Sequence, residues 1–113
     1  MTNISILHML EDIIQERKND SPESSYTAQL FQAGLGRTSK KIGEESTEVV
    51  IAALTQDNTA LIGEIGDLIY HLSVLMAQKN VTWYEVADIL SQRLNISGLE
   101  EKAHRSSESI VSI

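Results

Sequence analysis

A chain of 113 residues, 42% hydrophobic and 22% charged, has the composition of one globular domain, which can bury roughly two thirds of its unfolded surface without staples. The absence of cysteine excludes disulfides, thiolate metal sites and cysteine nucleophiles, and it fits a reducing compartment. A net charge of -7 argues against nucleic acid as the main partner, because a phosphate backbone needs a positive face.

Helical spacing of Ile6, Leu10, Ile13 and Ile14 predicts a first helix from about Ile4 to Lys18. Its opening ISILHML is short, lacks a preceding basic segment and runs into charged EDIIQERK, so it does not read as a signal peptide. No apolar run in the sequence reads as a bilayer span of about twenty residues. A cytoplasmic protein with no membrane partner is therefore expected. The stretch NDSPESS, with Pro22 among Asn, Asp and Ser, favours a turn, and Ser24 or Ser25 can cap a short helix through TAQLFQA. Gly34 and Gly36 predict a helix stop and a loop, after which Thr38 or Ser39 caps a helix running to about Leu54. A further helix is expected from Asn58 or Thr59 to about Lys79. The capping-box pattern Thr82-x-x-Glu85 opens another, from about Trp83 to Leu94. SGLEEKAHR closes the recognisable part of the chain, so residues 1–105 are read as one domain and 106–113 as a disordered tail. Asn95-Ile96-Ser97 matches a glycosylation acceptor pattern, but without a secretory signal it reads as coincidence. No strand alternation is present, and the fold class is all-α, a bundle of about five helices.

Two acidic pairs carry the chemistry. Glu45-x-x-Glu48 and Glu64-x-x-Asp67 lie on consecutive helices, and from Ile42 to Gln78 there is no Lys or Arg to neutralise them. On the second of these helices Leu61, Ile65, Leu68, Leu72 and Leu75 form an apolar stripe expected to be core, with Glu64, Asp67 and His71 on its flank. On the first, Lys41, Glu45, Glu48 and Ala52 share a stripe beside the apolar line of Ile42, Val49 and Ala53, with Glu44 just beyond. A connection of about four residues favours antiparallel packing, which brings the acidic flanks together. Neighbouring carboxylates repel, so a cation should occupy them, and an all-oxygen ligand set selects a hard divalent ion, Mg2+. A solvated acidic face is the plain alternative. A di-iron bundle is the nearest chemical rival, but it uses Glu-x-x-His, and neither pair has His at that position.

The paired acidic signature resembles that of the all-α MazG-like nucleotide pyrophosphohydrolases. Ser25-Tyr26-Thr27, the run Lys40-Lys41-x-Gly43-Glu44-Glu45-x-x-Glu48, Asp67-Leu68-x-Tyr70-His71-Leu72 and the closing Ser97–Arg105 block narrow the resemblance to the phosphoribosyl-ATP pyrophosphatases of histidine biosynthesis. It spans about Leu7 to Arg105. The resemblance implies Mg2+-dependent hydrolysis of phosphoribosyl-ATP to phosphoribosyl-AMP and pyrophosphate. By position, Glu45, Glu48, Glu64 and Asp67 would hold the metal, with Glu44 a supporting ligand or a group just outside that set. Water activated by the metal would attack in line between the α and β phosphates, with Glu45 or Glu48 taking its proton. Lys41 is the best phosphate contact, or else an i,i+4 partner of Glu45. Tyr26, His71, Lys102 and Arg105 are further substrate-binding candidates, although packing ranks above ligand contact for Tyr26, an interior hydrogen bond is the commoner case for His71, and helix-end cations are common for structural reasons alone. The loop around Arg37 is more polar than the family pattern leads one to expect. With no cysteine and no preceding domain, a monofunctional chain is expected. A MazG-like enzyme acting on ordinary or damaged nucleoside triphosphates shares the metal cluster, and a helical module that binds metal without turnover shares the acids alone. Two long apolar seams flanked by short helices predict a four-helix-bundle-like core completed by a second copy, making a homodimer the minimum assembly.

Overall fold

The computed structural model describes residues 4–94. All five of its elements are α-helices, α1 (Ile4–Arg17), α2 (Tyr26–Ala33), α3 (Leu35–Thr55), α4 (Asn58–Gln78) and α5 (Trp83–Leu94), and no strand occurs among the described residues. They fall into two compact units, Met1–Thr82 with α1 to α4, and a second that begins with α5. The Ser97–Arg105 block, the residues 106–113 and the Asn95 sequon lie outside the described residues.

Local chemistry sets the helix boundaries. Ser25 is the N-cap of α2, its hydroxyl oxygen accepting the Ala28 amide at 3.1 Å. Gly34 ends α2 with φ 96°, a left-handed conformation open to glycine, and donates its N–H to the Leu30 carbonyl at 2.9 Å. α3 then starts at once with Leu35, so the expected loop shrinks to Gly34 alone, and Gly36 is helical. Thr38 and Ser39 accordingly cap nothing. Thr38 is fully buried inside α3, because one left-handed glycine is enough to redirect the chain. Asp57 caps α4 by accepting the Ala60 amide at 2.9 Å. At its far end Val81 N–H reaches the Met76 carbonyl at 2.8 Å and Asn80 N–H the Ala77 carbonyl at 3.2 Å, a Schellman closure with Asn80 at φ 58°.

In the first unit α3 and α4 make the most extensive packing pair, joined by Gln56 and Asp57 alone, a shorter connection than expected and one that forces an antiparallel hairpin. α1 and α2 close over the hairpin around Ile14, Leu30 and Val74, each no more than 1% exposed, with Leu10, Phe31, Tyr70 and Ala77 packed against them. Gln78 fastens α4 to α2, its Nε2 donating to the Leu30 carbonyl at 3.2 Å.

The leucine stripe of α4 is not the core of this chain. At 100° per residue, Val74 and Tyr70 sit about half a turn away from it, and they are the ones that meet Ile14 and Leu30. Leu61, Leu68, Leu72 and Leu75 are half-buried, while Ile65 and Ile62 are 39% and 69% exposed. Val50, Ile51 and Leu54 on α3 are exposed as well. Periodicity finds both apolar sides of such a helix but not which one the same chain covers. α4 is also long and apolar enough, by length and composition, to cross a membrane, contrary to the reading of the sequence. Its centre carries Glu64 and Asp67, and a carboxylate at mid-bilayer costs about 3 kcal/mol, which favours a bundle helix with one uncovered side.

Candidate metal centre

The hairpin places the acidic flanks face to face. Glu45 and Glu48 of α3 and Glu64 of α4 each offer a carboxylate oxygen, and these three atoms all lie within 4.8 Å of one another. Glu45 is buried, Glu64 half-buried and Glu48 exposed, so the group runs from the hairpin interior to its surface. Asp67, exposed and one turn after Glu64, is outside that tight group but close enough for its charge to act on both Glu64 and Glu45. Glu44 is directed elsewhere, its Oε1 3.6 Å from Lys41 Nζ.

The electrostatics are those of a site short of positive charge. Burial raises the Glu45 carboxyl above its ordinary range, and the adjacent Glu48 and then Asp67 add to the rise, while His71 opposes it. Glu64 is raised too, by desolvation first and then by Glu48 and Asp67. Lys41 Nζ lies 3.9 Å from Glu45 Oε1, at the outer range of an ion pair. Glu45 Oε2 is buried and has no hydrogen-bond partner. A buried acceptor left without a donor, beside two more carboxylates, fits a cation bound by oxygen ligands, and its all-oxygen donor set suits a hard divalent ion.

A second cluster stands one turn farther from the α3–α4 connection. His71 is 5% exposed, its Nδ1 2.8 Å from the Asp67 carbonyl and its Nε2 3.1 Å from the Tyr26 hydroxyl. Thr27 Oγ1 and Tyr70 Oη are 2.6 Å apart. The rings of Tyr26 and Tyr70 stack at 6.1 Å, and both meet His71 edge-on. Burial pushes the Tyr70 phenol up, with the Thr27 hydroxyl pulling the other way. The structure thus joins Ser25-Tyr26-Thr27 of α2 to Tyr70-His71 of α4, which sequence spacing cannot show. Thr27 and Tyr70 were missing from the sequence-derived site. Their only signal was membership in two motif blocks that occur together. Lys102 and Arg105 lie outside the described residues.

The family model described as phosphoribosyl-ATP pyrophosphohydrolase matches residues 7–94. The chain is similar to the phosphoribosyl-ATP pyrophosphatase of Novosphingobium aromaticivorans, 47% identical over 106 residues, which covers 94% of this chain and 99% of that protein. It is 46% identical over 102 residues to the phosphoribosyl-ATP pyrophosphatase of Erythrobacter litoralis, covering 90% and 98% of the two chains. A similarity of 44% over 91 residues extends to the histidine biosynthesis bifunctional protein HisIE of Buchnera aphidicola, where it covers 80% of this chain and 42% of that protein. A match that enters all five helices and includes both acidic pairs, with relatives aligned over nearly their full length, makes this chain a member of the phosphoribosyl-ATP pyrophosphohydrolase family.

Proposed function

We propose that the protein hydrolyses phosphoribosyl-ATP to phosphoribosyl-AMP and pyrophosphate with the help of Mg2+. Family membership supports the substrate, and the converging carboxylates of Glu45, Glu48 and Glu64 support the metal. That convergence is the observation on which the reading rests. Glu45, Glu48, Glu64 and Asp67 would hold the ion, with Glu44 supporting Lys41 at the rim. When bound, Mg2+ supplies the positive charge that screens the phosphates and makes water a better nucleophile.

The remaining work falls to the chain. A carboxylate of the cluster, Glu45 or Glu48, accepts the proton of the attacking water. The water oxygen bonds to one phosphorus of the α–β anhydride, the bond from that phosphorus to the bridging oxygen breaks with its electrons kept by that oxygen, and the carboxylate returns its proton to solvent. Lys41, one turn before Glu45, turns from the carboxylates to a phosphate oxygen of the incoming nucleotide. Tyr26 and His71 sit at the same end and face its nucleoside part, and the family resemblance keeps Lys102 and Arg105, outside the described residues, as candidates for its phosphoribosyl or phosphate groups.

The family match enters both compact units, which supports reading residues 1–105 as one catalytic domain. The uncovered side formed by Val50, Ile51, Leu54, Ile62 and Ile65 supports a homodimer in which a second hairpin completes the bundle. The cytoplasm is its place of action, in keeping with relatives that are biosynthetic enzymes.

The test is Mg2+-dependent release of pyrophosphate from phosphoribosyl-ATP beside ATP, dUTP and dCTP, with Glu48→Gln as control. Fast release from phosphoribosyl-ATP alone, reduced roughly a hundredfold or more in the variant, is expected. Preference for a plain triphosphate would transfer the protein to the wider MazG-like activity, and no release from any of them would refute hydrolysis.

A further inference from the structure

Glycine is a poor helix former, yet α4 carries two in its interior, Gly63 and Gly66, both exposed. Packing within the chain does not require them. A Cβ added at either would meet no atom of the described residues within 4 Å, so alanine would fit at both positions and strengthen the helix.

Their place on α4 supplies a reason. Gly63 precedes Asp67 by four residues and Gly66 precedes Tyr70 by four, and a helical side chain leans toward the N-terminus, over the turn before it. Gly63 is therefore bordered by the Asp67 side chain and Gly66 by the Tyr70 ring. Between the two glycines runs a bare strip of helix that climbs about 4.5 Å from the carboxylates toward the tyrosines. At its lower end the chemistry asks for a ligand: Glu45 is 7% exposed, its Oε2 has no hydrogen-bond partner, and its carboxylate meets those of Glu48 and Glu64 within 4.8 Å. A cation there brings phosphates with it. At the upper end Tyr26, stacked on Tyr70 at 6.1 Å, is 42% exposed. In a nucleotide the group next to the phosphates is the ribose, and a sugar ring lies closest to a helix where no side chain stands between them.

We propose that Gly63 and Gly66 are specificity-determining residues: the side chains they lack leave a bed on the α4 backbone for the α-phosphate and ribose of the substrate. This rests on the pyrophosphohydrolase reading of the carboxylate site. The two glycines weaken the helix and improve the fit of the nucleotide.

Steady-state kinetics on phosphoribosyl-ATP with Gly63→Ala, Gly66→Ala and Gly66→Leu test it. Gly43→Ala is the reference, because Gly43 is also interior to a helix with 4 Å of open space but lies about half a turn round α3 from Glu45. All three alanine variants should melt about 4 °C above the wild type. Gly63→Ala and Gly66→Ala should nevertheless lose about tenfold in kcat/KM, and Gly66→Leu about a hundredfold or more, while Gly43→Ala keeps the wild-type value. Inhibition by pyrophosphate, which has no ribose, should be unchanged in the Gly66 variants, and so should the rise in Tm on adding Mg2+ and the mass measured by sedimentation. A merely structural role would not raise Tm while lowering kcat/KM. Unchanged kcat/KM in Gly66→Leu, an equal loss in Gly43→Ala, or weaker inhibition of the Gly66 variants by pyrophosphate would overturn the assignment. A fall in sedimented mass would overturn it too, by giving the strip to a second copy of the chain. If Gly66→Leu fails to fold, Gly66→Ala decides alone. If the wild-type protein releases no pyrophosphate, it is the hydrolase reading that fails, and calorimetric titration of ATP with Mg2+ into wild type and Gly66→Leu decides the bed separately. Tighter binding by the wild type upholds it, whereas equal affinities, or no binding of ATP by the wild type, overturn it there.

Discussion

Glu45→Gln removes one charge from the carboxylate cluster while keeping the side chain's shape, and it should invert the stability order of the two proteins when magnesium is added. Glu45 is 7% exposed and its Oε2 is without a hydrogen-bond partner. A buried polar atom left unsatisfied costs about 1–3 kcal/mol, and the like charge of Glu48 adds to it. An amide NH2 in place of Oε2 can donate to the Glu48 carboxylate instead. The magnesium-free variant should therefore gain about 2 kcal/mol. For 113 residues, an unfolding entropy of roughly 0.24 kcal/mol/K turns that into a rise in Tm of about 8 °C. Mg2+ at a hundred times its Kd should stabilise the wild type by about 2.7 kcal/mol, or about 11 °C. The variant, short of a ligand, should move little. Circular dichroism melts at one fixed protein concentration, in EDTA and in saturating Mg2+, read both effects. A variant that melts below the wild type in EDTA, or that keeps the full magnesium shift, refutes the reasoning.

The pH dependence of the magnesium-free protein follows from the same residues. Glu45 and Glu64 have folded-state values raised above the ordinary 4.5, so the unfolded chain releases these protons at lower pH than the folded one. Stability from this source should be greatest below about pH 4.5, fall as pH climbs from there through the raised values, and level off above them. Urea midpoints across that range should show the wild type losing ground to Glu45→Gln as pH rises; a constant gap would count against the shift. On the uncovered side, Ile62→Asp places a charge at a residue that is 69% exposed in the single chain, so it should leave the fold intact and, for the proposed homodimer, halve the mass measured by sedimentation of the wild type. An unchanged mass would rule out that side as the contact between copies.

Sequence reading served best where a local rule operates. Ser25 at the start of α2, the extents of α1, α4 and α5, and the acidic pairs facing across a hairpin all follow from capping chemistry and a period of 3.6 residues. It failed where geometry depends on what is packed alongside. Gly36 has the composition of a loop but sits in a helix, because Gly34 alone makes the turn. The leucines of α4 and the pair Tyr70 and Val74 are equally good apolar faces, and only the arrival of Ile14 and Leu30 selects the second. Of the five carboxylates expected around the metal, three meet in the tight group, while Glu44 lies beside Lys41 and Asp67 acts on Glu64 and Glu45 from just outside it. The contact between Tyr26 and His71, 45 residues apart, follows from no spacing rule.

The two-residue link between α3 and α4, clamped by the Asp57 cap, works as a ruler. Each residue added to or removed from either helix between this link and its acidic pair would move that pair by about 1.5 Å along the helix and about 100° around it, carrying it off the side it shares with the other pair. The interval between the two acidic pairs can therefore change only by whole turns shared between both helices, roughly seven residues at a time. Growth of this protein by small insertions is confined to other places, such as the Pro22 turn, and the hairpin passes to any descendant as one indivisible block.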